Sequence, residues 1–279
     1  MIYKRYKLEI PKGRSTYLIA VGDIHHNTDE CDKDKFAQVI DYGRAKAKAG
    51  HRVGFLGFGD YNDSMSTSER KATRDLHDFT LDRFDEWAAA ISETFVATAL
   101  KPVREHFLGL IEGHHYMLFQ SGNEKFKRWY GETNTKYLAD LLKCDYLGTC
   151  GYVTLDFGDG LKFEIIAHHG RGAAQTRNAR ILKRKRFGEG FPTANAVMVG
   201  HDHDLFIEPE QGLGANEDGT YPVARYYVAT GSYLRGYILG RERGTYVEQG
   251  MLKPGQLGSA AFEFRRDGKR LRVSPLVLP

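Results

Sequence analysis

Residues Ala194–Asp204 read ANAVMVGHDHD. Ala196 to Val199 form an apolar run with the length and composition of a buried strand, and the glycine after it ends the run. The polar tip that follows is His201, Asp202, His203 and Asp204. Two imidazoles at the end of a buried strand are costly to place unless something partners their nitrogens. Strands of an open α/β sheet deliver the side chains at their carboxyl ends to one shared edge, where ligands bind. The stretch therefore asks whether other strands of this chain end in the same way.

They do. STYLIAVGDIH (15–25) is an apolar run closing on Asp23 and His25, and RVGFLGFGDYND (52–63) is a second one closing on Asp60 and Asp63. Between them DKDKFAQVIDYGRAKAKAG (32–50) has helical spacing at Phe36, Val39 and Ile40 and stops at Gly50. This β-α-β order predicts parallel strands with a crossover helix. HFLGLIEGHH (106–115) is a third run ending in His114 and His115. ETNTKYLADLLK (132–143) follows as a short helix. GYVTLDFGDGLKFEIIAHHG (151–170) reads as a hairpin turning at Gly158-Asp159-Gly160 and ending in His168 and His169. RYYVATGSYL (225–234) and AAFEFRRDGKRLRVSPLVL (260–278) supply further strands, the latter turning at Asp267-Gly268. Residues at i and i+2 of an extended segment face the same side, so Asp23 with His25, and His201 with His203, are expected to reach inward together. His26 and His51 stand outside these tips and are assigned no metal.

From Glu69 to Phe107 the apolar residues Leu76, Phe84, Trp87, Ile91 and Phe95, with Thr80 and Thr98, keep helical spacing among charged neighbours. One long helix or two joined ones are expected, with Pro102 near the end. Packing on a sheet accounts for such a helix, and a dimer surface over 69–107 is the other use it offers. No internal repeat or linker interrupts the chain, so one domain over 1–279 with a helical insertion at about 66–107 is expected. Its 279 residues suffice for a substantial core. No apolar run is long enough to span a bilayer, which argues against a membrane partner. The N-terminal stretch MIYKRYKLEIPKGRS has no apolar signal region, and Cys31, Cys144 and Cys150 form no CxxC pair. Reduced thiols and a cytoplasmic location are the expectation.

The ordered tips GDIH, GDYND, GHH, AHHG and GHDH resemble the calcineurin-like metallophosphoesterase superfamily, whose signature runs Asp-x-His, Gly-Asp-x-x-Asp, Gly-Asn-His, a lone His and Gly-His-x-His. In layout the chain looks like the small bacterial and phage members and the DNA-repair nuclease branch. One departure stands out: His114 occupies the place of the family's asparagine. The resemblance implies a four-layer α/β/β/α sandwich of mixed sheets holding two divalent metal ions. Asp23, His25, Asp60 and His203 would bind the first ion. Asp60, His114, His169 and His201 would bind the second, with Asp60 bridging by giving one oxygen to each and His168 as the alternative to His169. His115 matches the catalytic histidine and Asp63 the carboxylate that orients it. The mixed O/N donor set favours manganese, with iron, zinc or nickel as alternatives, over magnesium. The implied reaction is phosphoester hydrolysis by a metal-bridging hydroxide.

Substrate choice rests on weaker signals. The net charge is only +4, but Arg171, Lys183, Arg184, Lys185 and Arg186 crowd between the fourth and fifth tips. A solvated helix face explains such a run, and a phosphate-attracting rim is the functional alternative. With Tyr116, Trp129 and Tyr130 as stacking surfaces, the rim favours a phosphodiesterase or nuclease acting on nucleic acid or nucleotides. A phosphomonoesterase for a small metabolite or phosphoprotein is the second reading, and a non-catalytic metal-containing phosphate-binding module the third.

Overall fold

The computed structural model describes residues 1–72, 76–172, 174–216 and 219–279. Its strands are β1 (Ile2–Lys7), β2 (Thr16–Val21), β3 (Arg52–Gly57), β4 (Phe107–Leu110), β5 (Asp145–Tyr146), β6 (Cys150–Asp156), β7 (Lys162–His168), β8 (Ala196–Val199), β9 (Leu205–Asn216), β10 (Gly219–Thr230), β11 (Ser259–Asp267) and β12 (Arg270–Leu278). The helices used below are α1 (Lys33–Lys48), α2 (Thr67–Ala72), α3 (Asp78–Phe95), α4 (Asn134–Leu142) and α5 (Arg177–Glu189). The strands form two six-stranded sheets, ordered β1-β6-β7-β8-β10-β9 (sheet I) and β12-β11-β2-β3-β4-β5 (sheet II). Both are mixed. Sheet II runs parallel from β2 to β5 and antiparallel at β11 and β12.

Period-two alternation along β2 and β3 sends one set of side chains to each face. Leu18, Ala20, Leu56 and Phe58 join Val153, Ile165, Ala167, Ala196, Met198 and Val228 from sheet I, which makes the core between the sheets. Ile19, Val21 and Phe55 point the other way, onto Phe36, Val39 and Ile40 of α1. Helix α1 begins where the Asp32 side chain accepts a hydrogen bond from Lys35 N–H at 2.9 Å, the usual N-cap. It lies so close to the sheet that a Cβ on Gly43 would sit 2.4 Å from the Phe55 ring. The outer face of sheet I is covered by α5 and its exit, where Phe187 and Phe191 pack on Ile166, Val197, Val199 and Tyr227. The layers are thus helix, sheet, sheet, helix, as expected.

The helical region divides into α2 and α3, with residues 73–75 of the expected stretch lying outside the described residues. After Phe95 the coil widens into a π-type turn at Val96–Leu100, then tightens to 3-10 geometry over Lys101–His106. Phe95, Val96, Leu100 and Val103 pack with α1 on sheet II. Ala88 and Ala89 bury a separate cluster with Met65, Met117, Phe119 and Phe126. Trp87 and Thr98 fall off the packed face and are exposed. Two strands without a clear sequence signal, β1 and β9, are the outer edges of sheet I. β1 reads IYKRYK and β9 contains Pro209 and two glycines, so neither presents an apolar alternation. No helix among the described residues is long and apolar enough to cross a membrane.

Candidate metal centre

The carboxyl ends of β2, β3 and β4 in sheet II and of β7 and β8 in sheet I open on one edge, and the five polar tips meet there. Two sets of donors converge: Asp23, His25 and His203 in one, Asp60, His114, His169 and His201 in the other. His25, Asp63 and His115 form a third grouping beside them. Every residue expected in the two ligand sets is present, as are the two expected in catalysis.

The route by which they converge differs from the alternation argument. β2 ends at Val21 and β8 at Val199, so Asp23, His25, His201 and His203 all lie past the extended segments. Asp23, His25, Asp60, His201 and His203 have φ of 47, 48, 49, 68 and 47°, the left-handed region that non-glycine residues rarely occupy. Tight turns with strained backbone aim these side chains, as at many functional sites. Neighbouring loops hold the turns: the N–H groups of Asp23, Ile24 and His25 donate to the carbonyls of Gly59 and Asp60 at 2.8–3.0 Å. Glycine precedes several tips because the backbones touch. Gly59 has φ +89°, and a Cβ there would fall 2.5 Å from the Gly113 Cα.

Asp60 is the hub. Its Oδ1 accepts from the N–H groups of His114 and His115, at 2.8 and 2.9 Å. Oδ2 is left facing His114 Nδ1 at 2.7 Å, His169 Nε2 at 3.1 Å and His25 Nε2 at 3.9 Å. Two backbone amides thus orient the carboxylate through Oδ1 and leave Oδ2 turned towards the imidazoles. Buried atoms around it make no hydrogen bond: Asp23 Oδ1, His25 Nε2 and His201 Nδ1. Buried polar atoms are rarely left so. Lone pairs converging from carboxylates and imidazoles are the donor set of a transition-metal cation, so the residues fit the implied ions.

Electrostatics agree. Burial alone would raise the Asp60 carboxyl, yet the charge of His169 and the hydrogen bonds of His114 and His169 hold it well below the usual carboxylate range. Burial opposes a charge on His169, but Asp60 and Asp23 raise it to about 9. Burial, with His169 and His114 nearby, pushes His201 down to about 4. Two carboxylates thus favour positive charge at His169. The His169 ring is oriented from behind by the Phe58 carbonyl, 2.7 Å from Nδ1. His168 turns away: its Nδ1 accepts from Gly170 N–H at 2.7 Å and its ring packs on Phe187.

Asp63 sits 2.5 Å from His115 Nδ1. Burial lowers the His115 pKa, but the hydrogen bond of Asp63 and the charges of Asp60 and Asp63 together outweigh it, and the net direction is upward. Asn27, which sequence reasoning missed, clasps the Asp63 backbone by donating to its carbonyl at 2.8 Å and accepting from its N–H at 2.6 Å. Arg70 of α2, also missed, donates to the carbonyls of Met65, of His114 at 2.9 Å and of Tyr116 at 2.8 Å, and stacks 3.8 Å above the Tyr116 ring. The carboxylates of Asp23 and Asp60 form a fully buried floor, while His114 and Asp63 are about 40% exposed at the mouth.

The basic stretch divides between paired and exposed side chains. Arg184 is buried and ion-paired to Asp202 at 2.8 Å. Lys185 pairs with Glu210 at 2.6 Å. Arg171, Lys183 and Arg186 are exposed. Trp129 packs against Tyr137 and donates to Asp140 at 3.0 Å, and the Tyr116 face carries Arg70, so neither is an open stacking surface. Tyr130 is 66% exposed.

No protein-family model and no curated protein matches the chain. Solved structures share its outline loosely. One is a Streptococcus pneumoniae protein described as a predicted phosphoesterase, 13% identical, covering 94% of this chain and 90% of that one at a TM-score of 0.34. Another is zinc-complexed Vps29 from Entamoeba histolytica, 10% identical, covering 94% and 98% at a TM-score of 0.36. A third is the 5'-nucleotidase of Candida albicans, 8% identical, covering 98% of this chain and 53% of that one at 0.38. Two mixed six-stranded sheets packed face to face gather the five polar tips, in chain order, at one edge.

Proposed function

We propose that the protein hydrolyses phosphoesters at a dinuclear metal centre, with a phosphodiester of nucleic acid or a nucleotide as substrate. The observation that carries this reading is the convergence of two donor groups at one edge, with Asp60 Oδ2 facing His114 and His169 of one and His25 of the other, and with the His115–Asp63 pair beside them. Asp23, His25, Asp60 and His203 would hold one ion, and Asp60, His114, His169 and His201 the other, with manganese favoured by the mixed donors. When bound, such cations neutralise phosphoryl oxygens and acidify water.

The chain's own residues supply the rest. The two amides on Asp60 Oδ1 fix the orientation of the shared carboxylate. Asp63, against the His115 ring at the site, favours its protonated form, and the imidazole is placed to give a proton to the departing alkoxide. Exposed Arg171 and Lys183 attract an extended polyanion to the same side. Lys183 Nζ reaches the chain just beyond His169, 3.6 Å from where a Cβ on Gly172 would stand.

The test compares metal-loaded protein on bis-p-nitrophenyl phosphate, p-nitrophenyl phosphate and a short single-stranded oligonucleotide. Turnover of the diester and the oligonucleotide is expected. Turnover of the monoester alone replaces the substrate class with phosphomonoesters. Bound metal without turnover of any of the three refutes catalysis and leaves a binding module.

A further inference from the structure

We propose that Arg184 is a positioning residue for both ions of the metal centre. From helix α5 it anchors Asp202 and thereby the turn that aims His201 and His203. This rests on the functional reading above, since it concerns the same ligands.

The fifth tip alternates in role as well as in sequence. His201 and His203 face the centre, one in each ligand set. Asp202 and Asp204, the residues after each, face α5 instead. Asp202 Oδ2 lies 2.8 Å from Arg184 Nη1, and Asp204 Oδ2 lies 2.9 Å from Arg180 Nη1. Arg180 and Arg184 are four residues apart and therefore share one face of the helix.

Arg184 is fixed on every side. It is 2% exposed, and its guanidinium donates to the carbonyls of Val228 at 3.0 Å, Val199 at 3.1 Å and Arg180 at 3.1 Å. Val199 is the last residue of β8 and Val228 lies in β10, so the guanidinium is braced by the sheet that carries the tip. Its plane also lies over the Phe206 ring, 5.0 Å from the centroid. A buried ion pair is weak evidence for stability, because apolar residues of similar volume often serve as well. Here the pair does something apolar packing does not. It fixes one carboxylate between two histidines whose backbones are both left-handed, and so sets where both imidazoles point. Groups that orient metal ligands from behind alter metal affinity about 10–100-fold when lost.

The experiment uses the full-length protein stripped with chelator and titrated calorimetrically with Mn or Zn, together with the visible spectrum of the cobalt-loaded form. In Arg184→Met both ions should bind about tenfold or more weakly, and the cobalt bands should shift. Arg184→Lys, which keeps the charge on Asp202 but loses the fork, should recover part of the affinity. Lys185→Met, on the same helix with its partner Glu210 away from the centre, should bind metal as the parent does. Should Arg184→Met not fold, Asp202→Asn keeps the volume and the carbonyl contacts of Arg184, and the same weakening is expected. Parental affinities and an unchanged cobalt spectrum in a folded Arg184→Met or Asp202→Asn protein overturn the proposal, even if the melting temperature falls. A parent that binds no metal overturns the functional reading and this proposal with it. A parent that binds two ions beside unaffected variants overturns this proposal alone.

Discussion

Asp60→Asn is the substitution whose outcome the geometry fixes most tightly. Oδ1 accepts two backbone N–H groups, so the new amide must present its carbonyl oxygen there. The reverse orientation would set an NH2 group against two N–H donors and strand both, at roughly 1–3 kcal/mol each. The NH2 therefore takes the place of Oδ2, between His114 Nδ1 and His169 Nε2. It offers no lone pair to a cation. Hydrogen bonds to a neutral oxygen are weaker than to a charged one by about 1 kcal/mol each, and removing a buried carboxylate offsets part of that loss. The metal-free fold should consequently survive with a stability change of about 2 kcal/mol or less. Both ions lose the ligand they would share, so metal affinity should fall by more than the roughly 100-fold upper range seen when an orienting group is removed. Elemental analysis after desalting gives the stoichiometry, titration calorimetry the affinities, and diester turnover the rate. Two ions per chain with parental turnover in Asp60→Asn would show that Asp60 is not the shared ligand.

His114→Ala should lower occupancy at one ion, with activity partly restored by excess Mn, whereas His115→Ala should keep both ions and slow turnover about a hundredfold. That deficit should shrink for nitrophenolate leaving groups, and metal content beside single-turnover rates separates the two variants. Replacing exposed Arg171 and Lys183 with Ala should weaken oligonucleotide binding and flatten its salt dependence, leaving small-diester hydrolysis nearly unchanged; binding isotherms at several salt concentrations decide this. Burial, with Lys33 close by, pushes the His26 imidazole down to about 4, while in the unfolded chain it titrates near its ordinary value. Between those two values the unfolded state binds the proton and the native state does not. The contribution is thus present above about pH 6.5 and lost as pH falls towards 4, to the extent of about 2 kcal/mol once partial solvent access is allowed for. Urea unfolding in chelator at pH 7 and 4.5 should show a smaller stability loss in His26→Phe than in the parent, and equal losses would refute the assignment.

Apolar runs bounded by glycine made the motif-bearing strands legible in the sequence. So did turn residues such as Gly158-Asp159-Gly160, because burial and turn geometry are local demands. The candidate ligands came from the resemblance that the order of the tips carries, and the structure gathers those residues at one edge. How the tips aim was not legible: alternation presumes an extended chain, and the left-handed turns at Asp23 and His203 follow from contacts with other loops. The division of labour between the Asp60 oxygens also depends on amides from residues 54 and 55 positions away. Arg184 was misread for a related reason. A run of Arg and Lys looks uniformly solvated until the helix is placed and one of its faces meets a sheet. The alternation His-Asp-His-Asp beside arginines at spacing four was the available sign. Edge strands β1 and β9 escaped notice because a strand paired on one side needs little apolar character.

The ligands hang from both sheets. Asp23, His25, Asp60 and His114 follow strands of sheet II, while His169, His201 and His203 follow strands of sheet I. Cations held here would rivet the two halves of the sandwich along a single seam, and occupancy becomes cohesion worth about 2.7 kcal/mol at a hundredfold excess over the dissociation constant. The lateral seam is closed by other means: Lys4 of β1 pairs with Asp145 of β5 at 2.6 Å, and Tyr6 donates to the same carboxylate at 2.9 Å. Stripping the metal should leave that seam shut, with the ligand seam joined only by contacts such as His169 to the Phe58 carbonyl at 2.7 Å and the His201 N–H to Asp23 at 2.8 Å. Loss of metal would thus register first as a local gap at the mouth, where a protease or an exchanging amide senses starvation for the ion before the fold does.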